Sequence, residues 1–287
     1  MQFPVQQLFI DDECQVSVLR LDVPDAINYG NKYYKLRYNI ENILSEGNKS
    51  FLTFGGAYSN HIVAAAAAAR HNNIRCVGII RGEELNPLSN EHLKYASSSG
   101  MELYFVTREE YRKRNDPFYQ SALMYKFQAD AVIPEGGSNI FAVIGCAEIL
   151  DDRTDEFDII ICPAGTGGTL AGIASSLKPH QQAVGIAVLN GAEYLSNGVR
   201  RLLNESGKDV RNFTITDAYT HGGYGKTTPE LLSFMRSFTE KYGIPLDYVY
   251  SGKMMYAYHE MHRQGIFDGK KVLLVHTGGY AFEAGRY

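Results

Sequence analysis

The sequence predicts an α/β fold with mostly parallel sheets, arranged in two domains. Short runs rich in β-branched residues alternate with longer helical stretches and are bounded by Gly and Pro, which is typical of parallel α/β sheets. Two such series follow one another, joined by a polar, acidic stretch at residues 146–157. We therefore expect a smaller domain over residues 37–148 and a larger domain formed by residues 1–36 and 149–287.

The alternation assigns the elements in chain order. In the first series we predict strands at 50–54, 75–80, 102–106 and 130–134, with helices at 59–71 and 88–99 and a long polar helix ending near 127. In the second series we predict strands at 157–165, 183–188, 213–216 and 271–276, with helices at 167–178, 191–204, 229–242 and 252–264.

Composition excludes several classes of function. The 287 residues are 45% hydrophobic and carry a net charge of −4, which gives no electrostatic reason to expect nucleic acid or an anionic membrane surface as a partner. The N-terminus lacks a signal-peptide pattern, and the longest apolar run, residues 62–69, is too short to span a bilayer. We therefore expect a cytoplasmic protein. We expect no metal site, because the run HEMH at 259–262 lacks the H-E-x-x-H spacing.

The most informative stretch is IIICPAGTGGTLAGIASSLK at 159–178, where an apolar strand runs into glycines and then a helix of small residues. Backbone N–H groups of such a turn, together with the helix dipole, favour an anion. The alternatives are a plain strand-to-helix turn and a Rossmann pyrophosphate loop. The Rossmann fingerprint G-x-G-x-x-G needs glycine where Leu170 stands. We interpret the loop as a phosphate cradle formed by Gly165, Thr166, Gly167, Gly168 and Thr169.

A second turn of the same design, FGGAYSNH at 54–61, opens a helix with six consecutive alanines. Ser59 or Asn60 would serve as an N-cap on structural grounds alone. Because strand-end loops that open helices bind small ligands in α/β proteins, a substrate carboxylate is the functional alternative. PEGGSN at 134–139 and HTGGY at 276–280 repeat the strand–Gly-Gly design, so we expect one cleft between two domains.

Two lysines three residues apart, Lys32 and Lys35, follow a Gly-Asn turn. Helical spacing places both on one face. They form either a solvated charged face or a site where one amine is held for covalent chemistry.

Three motifs together bear on this choice: the lysine after the Gly-Asn turn in GNKYYKL (30–36), the Ser-Asn-His helix start in GGAYSNH (55–61) and the loop GTGGT (165–169). In this order they resemble the pyridoxal-phosphate enzymes of fold type II, the tryptophan synthase β-like group. Within that group the sequence is similar to the family of D-cysteine desulfhydrase and 1-aminocyclopropane-1-carboxylate deaminase. The resemblance implies two three-layer α/β domains, pyridoxal 5′-phosphate as cofactor, a small amino-acid substrate and a homodimer.

The resemblance also implies residue roles. Lys32 would form the Schiff base with the cofactor, and Lys35 would be a solvated or structural partner. Ser59, Asn60 and His61 would bind the substrate, with Asn60 also on the phenolic oxygen of the cofactor. Tyr224 and Tyr250 would line the substrate side, and either Lys32 or Ser59 would remove the α-proton.

Two positions separate the branches of this family. Deaminases carry Glu and Leu where this chain has Ser251 and Thr277, both expected near the pyridine nitrogen. A hydroxyl there leaves the nitrogen largely neutral, which suffices for β-elimination of thiolate. We therefore favour a desulfhydrase-like lyase over the deaminase. A nucleotide-binding protein and a non-catalytic cofactor-binding protein remain alternatives, and the run YAFEAGRY around Glu283 departs from the family pattern.

Overall fold

The computed structural model of the chain describes residues 2–8, 15–23 and 30–278. Much of the segment before Lys32 and the C-terminal segment around Glu283 therefore lie outside the described residues. Within them, the predicted α/β class with mostly parallel sheets is confirmed.

The larger sheet has six strands in the order β1-β2-β10-β7-β8-β9. Only the pairing of β1 with β2 is antiparallel among its described strand pairs. The N-terminal strands β1 and β2 were not predicted, and β2 pairs with β10 from the far end of the chain. The strands are β1 (Val5–Leu8), β2 (Gln15–Arg20), β7 (Ile159–Ala164), β8 (Gln182–Ala187), β9 (Phe213–Thr216) and β10 (Lys271–His276).

The smaller sheet has four parallel strands in the order β5-β4-β3-β6. All four lie in the first predicted series. They are β3 (Ser50–Gly56), β4 (Arg75–Arg81), β5 (Glu102–Val106) and β6 (Ala131–Ile133).

Helices surround both sheets, and their bounds correct two predictions. The long polar helix near 107–127 is broken, because Asp116 caps a new helix by accepting from the Phe118 N–H and Pro117 occupies its first position. The helix predicted at 167–178 ends at Ser175, and Pro179 disfavours helical geometry for the residue before it. The helices are α1 (Asn31–Ser45), α2 (Asn60–His71), α3 (Glu91–Ser98), α4 (Arg108–Tyr111), α5 (Pro117–Phe127), α6 (Ile140–Ala147), α7 (Gly168–Ser175), α8 (Ala192–Glu205), α9 (Pro229–Tyr242) and α10 (Ser251–Arg263).

Helices α1, α6 and α7 pack in series and link the surroundings of the two sheets. Gly145 of α6 permits the closest approach, since a β-carbon there would collide with the carbonyl oxygen of Tyr34. The start of α1 is thereby brought close to the start of α7. The predicted domain boundary at residue 37 falls inside α1, and the division into two domains remains a prediction.

Each sheet has its own buried apolar core on both faces. In the described ranges, no helix is both long and apolar enough to cross a bilayer.

Candidate active site

The start of α7 is an uncapped helix N-terminus. Its N-cap is Gly167, in the left-handed region with φ 83°, and it has no side-chain cap. The first N–H groups of the helix therefore have no side chain of their own N-cap to satisfy them. A β-carbon at Gly168 would lie 2.8 Å from Ser138 Oγ and 2.9 Å from Lys35 Cε, so glycine is needed to keep this cradle open. Such a cradle suits an anion.

Lys35 brings its amine into this cradle. Its side chain is almost fully buried, and Nζ donates to Ser138 Oγ at 2.8 Å and to Thr166 Oγ1 at 3.2 Å. The two hydroxyls are 2.5 Å apart. Burial, and then the charge of Lys32, hold the pKa of Lys35 well below its ordinary value. Of the two alternatives expected for Lys35, the solvated one is wrong and the structural one agrees with its burial. Sequence reasoning missed the contacts of Lys35 with this loop and the presence of Ser138.

Lys32 has a different environment from Lys35, although both lie on α1. Its side chain is half-buried and makes no hydrogen bond or ion pair with residues of the described ranges. Burial lowers the pKa of Lys32 to about 8, and a smaller interaction with Cys146 opposes the shift. An unpaired amine with a lowered pKa is a candidate nucleophile.

Asn31 fixes this part of α1 to two neighbouring loops. Its Nδ2 donates to Thr169 Oγ1 at 2.8 Å, in the predicted phosphate loop. Its backbone N–H donates to the carbonyl oxygen of Thr277 at 3.0 Å, just after β10. Thr277 itself is buried. The structure therefore brings together the predicted Lys32, Thr169 and Thr277 regions.

The start of α2 is capped by its own side chain. Ser59 is the N-cap, and its Oγ accepts from the Ile62 N–H at 3.4 Å. Asn60 is the first residue of the helix and is half-buried. The structural interpretation of Ser59 as an N-cap is confirmed, and its predicted contact with substrate remains a prediction.

His61 is buried, and its side chain is committed to the core of the smaller sheet. Its Nε2 lies 2.7 Å from Thr53 Oγ1, which donates its own proton to the Ile133 carbonyl. Nε2 must therefore be the donor, and Nδ1 is an acceptor with no partner in the described part of the chain. Burial, then Lys32 and Lys35, hold the pKa of His61 well below its ordinary value, so it is neutral. A substrate contact is left to its backbone or to Nδ1.

The two tyrosines predicted to line the substrate side, Tyr224 and Tyr250, lie next to each other. Their phenol oxygens are 3.3 Å apart and their rings meet edge to face at 6.1 Å. A β-carbon at Gly165 would lie 3.2 Å from the Tyr250 ring, which therefore closes over the loop before α7. Burial is the main cause that raises the pKa of both phenols.

Ser251 is fully buried against Asp247, a residue that sequence reasoning missed. Its Oγ donates to Asp247 Oδ2 at 2.6 Å and accepts from the Asp247 N–H at 2.8 Å. The same carboxylate accepts from the N–H groups of Val249, Tyr250 and Ser251 at the start of α10. Because its proton is committed, Ser251 can only accept from a third group. Its position near a pyridine nitrogen remains a prediction.

The site lies on a parallel α/β fold and combines three features. They are an uncapped helix N-terminus, a buried lysine in the cradle and, close by, an amine without a partner among the described residues. These residues fit a ligand that combines a phosphate with an electrophile. A family model described as pyridoxal-phosphate dependent enzyme matches residues 29–278. The chain belongs to this family, and its cofactor is pyridoxal 5′-phosphate.

Individual relatives narrow the likeness. A Thermotoga maritima protein provisionally named 1-aminocyclopropane-1-carboxylate deaminase is 31% identical over 92% of this chain and 88% of its own. The Arabidopsis thaliana protein named bifunctional D-cysteine desulfhydrase/1-aminocyclopropane-1-carboxylate deaminase, mitochondrial, is 30% identical over 87% of this chain and 68% of its own. A crystal structure titled as an ACC deaminase homologue has a TM-score of 0.85 at 27% identity and covers 98% of this chain and 90% of that chain.

Proposed function

We propose that the chain is a pyridoxal-phosphate-dependent lyase that releases sulfide, ammonia and a 2-oxo acid from D-cysteine or a similar small amino acid. The amine of Lys32 carries the proposal, because it is half-buried and unpaired within the described ranges and has a pKa lowered to about 8. A ligand that carries both an aldehyde and a phosphate needs an amine for its aldehyde and an anion site for its phosphate. The relative with the bifunctional name supports the substrate class.

In this proposal the start of α7 and the amine of Lys35 hold the phosphate, and Lys32 holds the aldehyde carbon. The buried Lys35 amine bonds only to hydroxyls within the described residues, so a phosphate would supply the counter-charge it lacks. Asn60 is assigned to the phenolic oxygen of the cofactor, and Ser251 with Thr277 to its ring nitrogen. When bound, the cofactor supplies an electron sink for the charge that develops on the substrate α-carbon.

The chain's own groups handle the protons. Lys32 takes the α-proton, since a pKa of about 8 leaves part of its population neutral near neutral pH. Ser59 is the alternative base or carboxylate ligand, and its bond from the Ile62 N–H leaves its own O–H to donate. Tyr224 and Tyr250 keep their protons because burial raises their pKa, so they can donate to the leaving sulfur.

A second function, 1-aminocyclopropane-1-carboxylate deaminase, is favoured by one observation. The carboxylate of Asp247 is hydrogen-bonded to Ser251, which places a negative charge one hydroxyl away from the expected ring nitrogen. A nearby negative charge favours a protonated nitrogen, and a protonated nitrogen is the stronger electron sink that ring opening needs. Ser251 and Thr277 in place of Glu and Leu still favour the desulfhydrase.

One assay separates these functions. Purified protein is given D-cysteine, L-cysteine or 1-aminocyclopropane-1-carboxylate, and sulfide, ammonia and 2-oxo acid are measured. We expect equal amounts of sulfide and 2-oxo acid from D-cysteine, at a rate well above that of ammonia release from the cyclopropane substrate. The reverse order would establish the deaminase. A yellow protein inactive on all three would contradict both lyase functions.

We also propose that the protein is cytoplasmic, as the sequence pattern predicts, and that it is a homodimer, as the resemblance implies. Sedimentation equilibrium should give a mass near twice 32.0 kDa. A monomer mass over the accessible concentration range would contradict the dimer without bearing on the lyase.

A further inference from the structure

The loop that carries Tyr224, residues 220–226, has little regular support of its own. Four of its residues have positive φ angles: 48° at His221, 93° at Gly222, 110° at Gly223 and 68° at Gly225. Such conformations cost little only at glycine. Two backbone bonds close the loop on itself, from the Gly223 N–H to Thr220 and from the Lys226 N–H to Gly223. The position of Tyr224 therefore depends on contacts from outside the loop.

Lys253 provides the main outside contact to the loop backbone. It lies in the first turn of α10 and is fully buried. Its Nζ donates to the Gly223 carbonyl at 2.7 Å and to the Val188 carbonyl, just after β8, at 3.3 Å. These two carbonyls are its hydrogen-bond partners in the described part of the chain. Burying an ammonium group costs desolvation free energy, even when it donates to backbone carbonyls. Burial accordingly lowers the pKa of Lys253 to about 8, and the electrostatic interaction with Asp247 opposes this shift.

The carbonyl that Lys253 holds belongs to the residue before Tyr224. Tyr224 is 48% exposed as a residue, and its phenol contacts that of Tyr250, the residue just before α10. The N-terminal end of α10 therefore contacts the loop at two points. Lys253 donates to the loop backbone, and Tyr250, just before the helix, contacts the side chain of Tyr224. Removing the backbone contact would leave the Tyr224 phenol in contact with Tyr250. Among the described residues, the other side-chain hydrogen bonds of the loop lie at its start, from Thr220 to Asn190 and from His221 to Thr228.

We propose that Lys253 is a positioning residue, which holds the Gly223 carbonyl to the end of β8 and thereby sets Tyr224 against Tyr250 on the wall of the cleft. The effect on the loop is independent of what the protein catalyses. The effect on turnover rests on the proposed function.

Chymotrypsin cleavage after Tyr224 measures the loop directly. We compare wild type with Lys253→Met, which removes the donor at similar length, and with Lys226→Met, the same change at an exposed position of the same loop. We expect cleavage at Tyr224 to be about tenfold faster or more in Lys253→Met only, because cleavage requires local opening. Equal rates in wild type and Lys253→Met would overturn the proposal. Equal acceleration at Phe and Tyr sites throughout the chain would show a general structural role and also overturn it.

Turnover provides the second readout. Lys253→Met should lower kcat/KM about 10- to 100-fold, as expected for a displaced active-site group, while the yellow absorbance of the bound cofactor stays. In a Tyr224→Ala background the same change should cost less than about threefold, because residues that act through one another are not additive. Full additivity would contradict the proposal. Should wild type turn over no tested amino acid, the proposed function fails, and the cleavage comparison still decides the role of Lys253.

A second variant guards against misfolding of Lys253→Met. Lys253→Gln keeps an N–H donor one bond short of the Gly223 carbonyl. Faster cleavage at Tyr224 in Lys253→Gln than in wild type supports the proposal, and cleavage at the wild-type rate contradicts it.

Discussion

Two helices, α2 and α7, each begin after a strand and a glycine turn, and they begin differently. The start of α2 is closed by Ser59, whose hydroxyl accepts from the Ile62 N–H. The start of α7 has Gly167 as its N-cap and no side-chain cap. A side-chain cap occupies one of the free N–H groups at a helix start and so weakens its attraction for anions. An uncapped start leaves these groups available to a ligand. The same sequence design, strand–Gly-turn–helix, therefore yields two different binding environments.

The two helix starts also differ in the titratable side chains beside them. The α7 start has the amine of Lys35 beside it. The α2 start has His61, which is neutral because burial and the two lysines depress its pKa. We therefore assign the phosphate to α7 and the smaller, exchangeable carboxylate of the substrate to α2.

The largest expected effect comes from the amine near the α7 start. Lys32→Ala should abolish the yellow absorbance and lower turnover by about 10²–10⁴-fold, as for loss of an acid–base group. Its melting temperature should change little, because the amine has no partner to lose among the described residues. Lys35→Met is the matched variant on the same helix face, and it should stay yellow at saturating cofactor. Exchange of these two outcomes would reverse the assignment.

The next effect tests the cradle itself. Gly168→Ala should raise the dissociation constant of the cofactor about tenfold or more, since overpacking costs on the order of 1–3 kcal/mol. The reason is that the added carbon would lie 2.8 Å from Ser138 Oγ. Gly56→Ala at the other helix start is the control, where the nearest atom, Arg81 Nη2, is 3.5 Å away. Titration of cofactor absorbance measures both, and equal weakening would remove the distinction between the two starts.

The pKa of Lys32 gives a pH dependence. Only the neutral amine attacks an aldehyde, and burial lowers the pKa of this amine to about 8. The rate of cofactor attachment to the cofactor-free protein should therefore rise about tenfold per pH unit below pH ~8 and level off above it. Stopped-flow absorbance measures this rate. A rise that continues to pH ~10 would show an ordinary, unperturbed lysine.

The smallest expected effect concerns the α2 cap. Ser59→Ala should cost about 1 kcal/mol of stability, as for loss of an N-cap, and should raise KM without changing cofactor affinity. Asn90→Ala is the control, because Asn90 caps α3 by accepting from the Leu93 N–H. It should cost similar stability and leave KM unchanged. Equal KM values in both variants would confine Ser59 to capping.

Much of the fold could be predicted because its strands are short apolar runs with glycine at their ends. The N-terminal strands were missed because β2 gains its neighbour from β10, more than 200 residues away. The broken helix before residue 117 could have been found, since Asp-Pro is a helix-start signal.

The candidate site was predictable where the motif itself is the site, as at Gly167 and Gly168. It was not predictable where partners come from distant segments. Nothing local in the sequence indicates that Lys35 donates to Ser138 and Thr166, or that Asp247 accepts a hydrogen bond from Ser251. Such contacts depend on how α1, α6 and α7 pack, and helix spacing alone could not separate a solvated Lys35 from a buried one.

We propose that Lys32, and not Lys35, carries the cofactor. Reduction of the yellow protein with borohydride, followed by proteolysis and tandem mass spectrometry, locates the attached pyridoxyl phosphate on one side chain. We expect the mass increment on Lys32 alone. An increment on Lys35, on Lys253 or on any other lysine would contradict it.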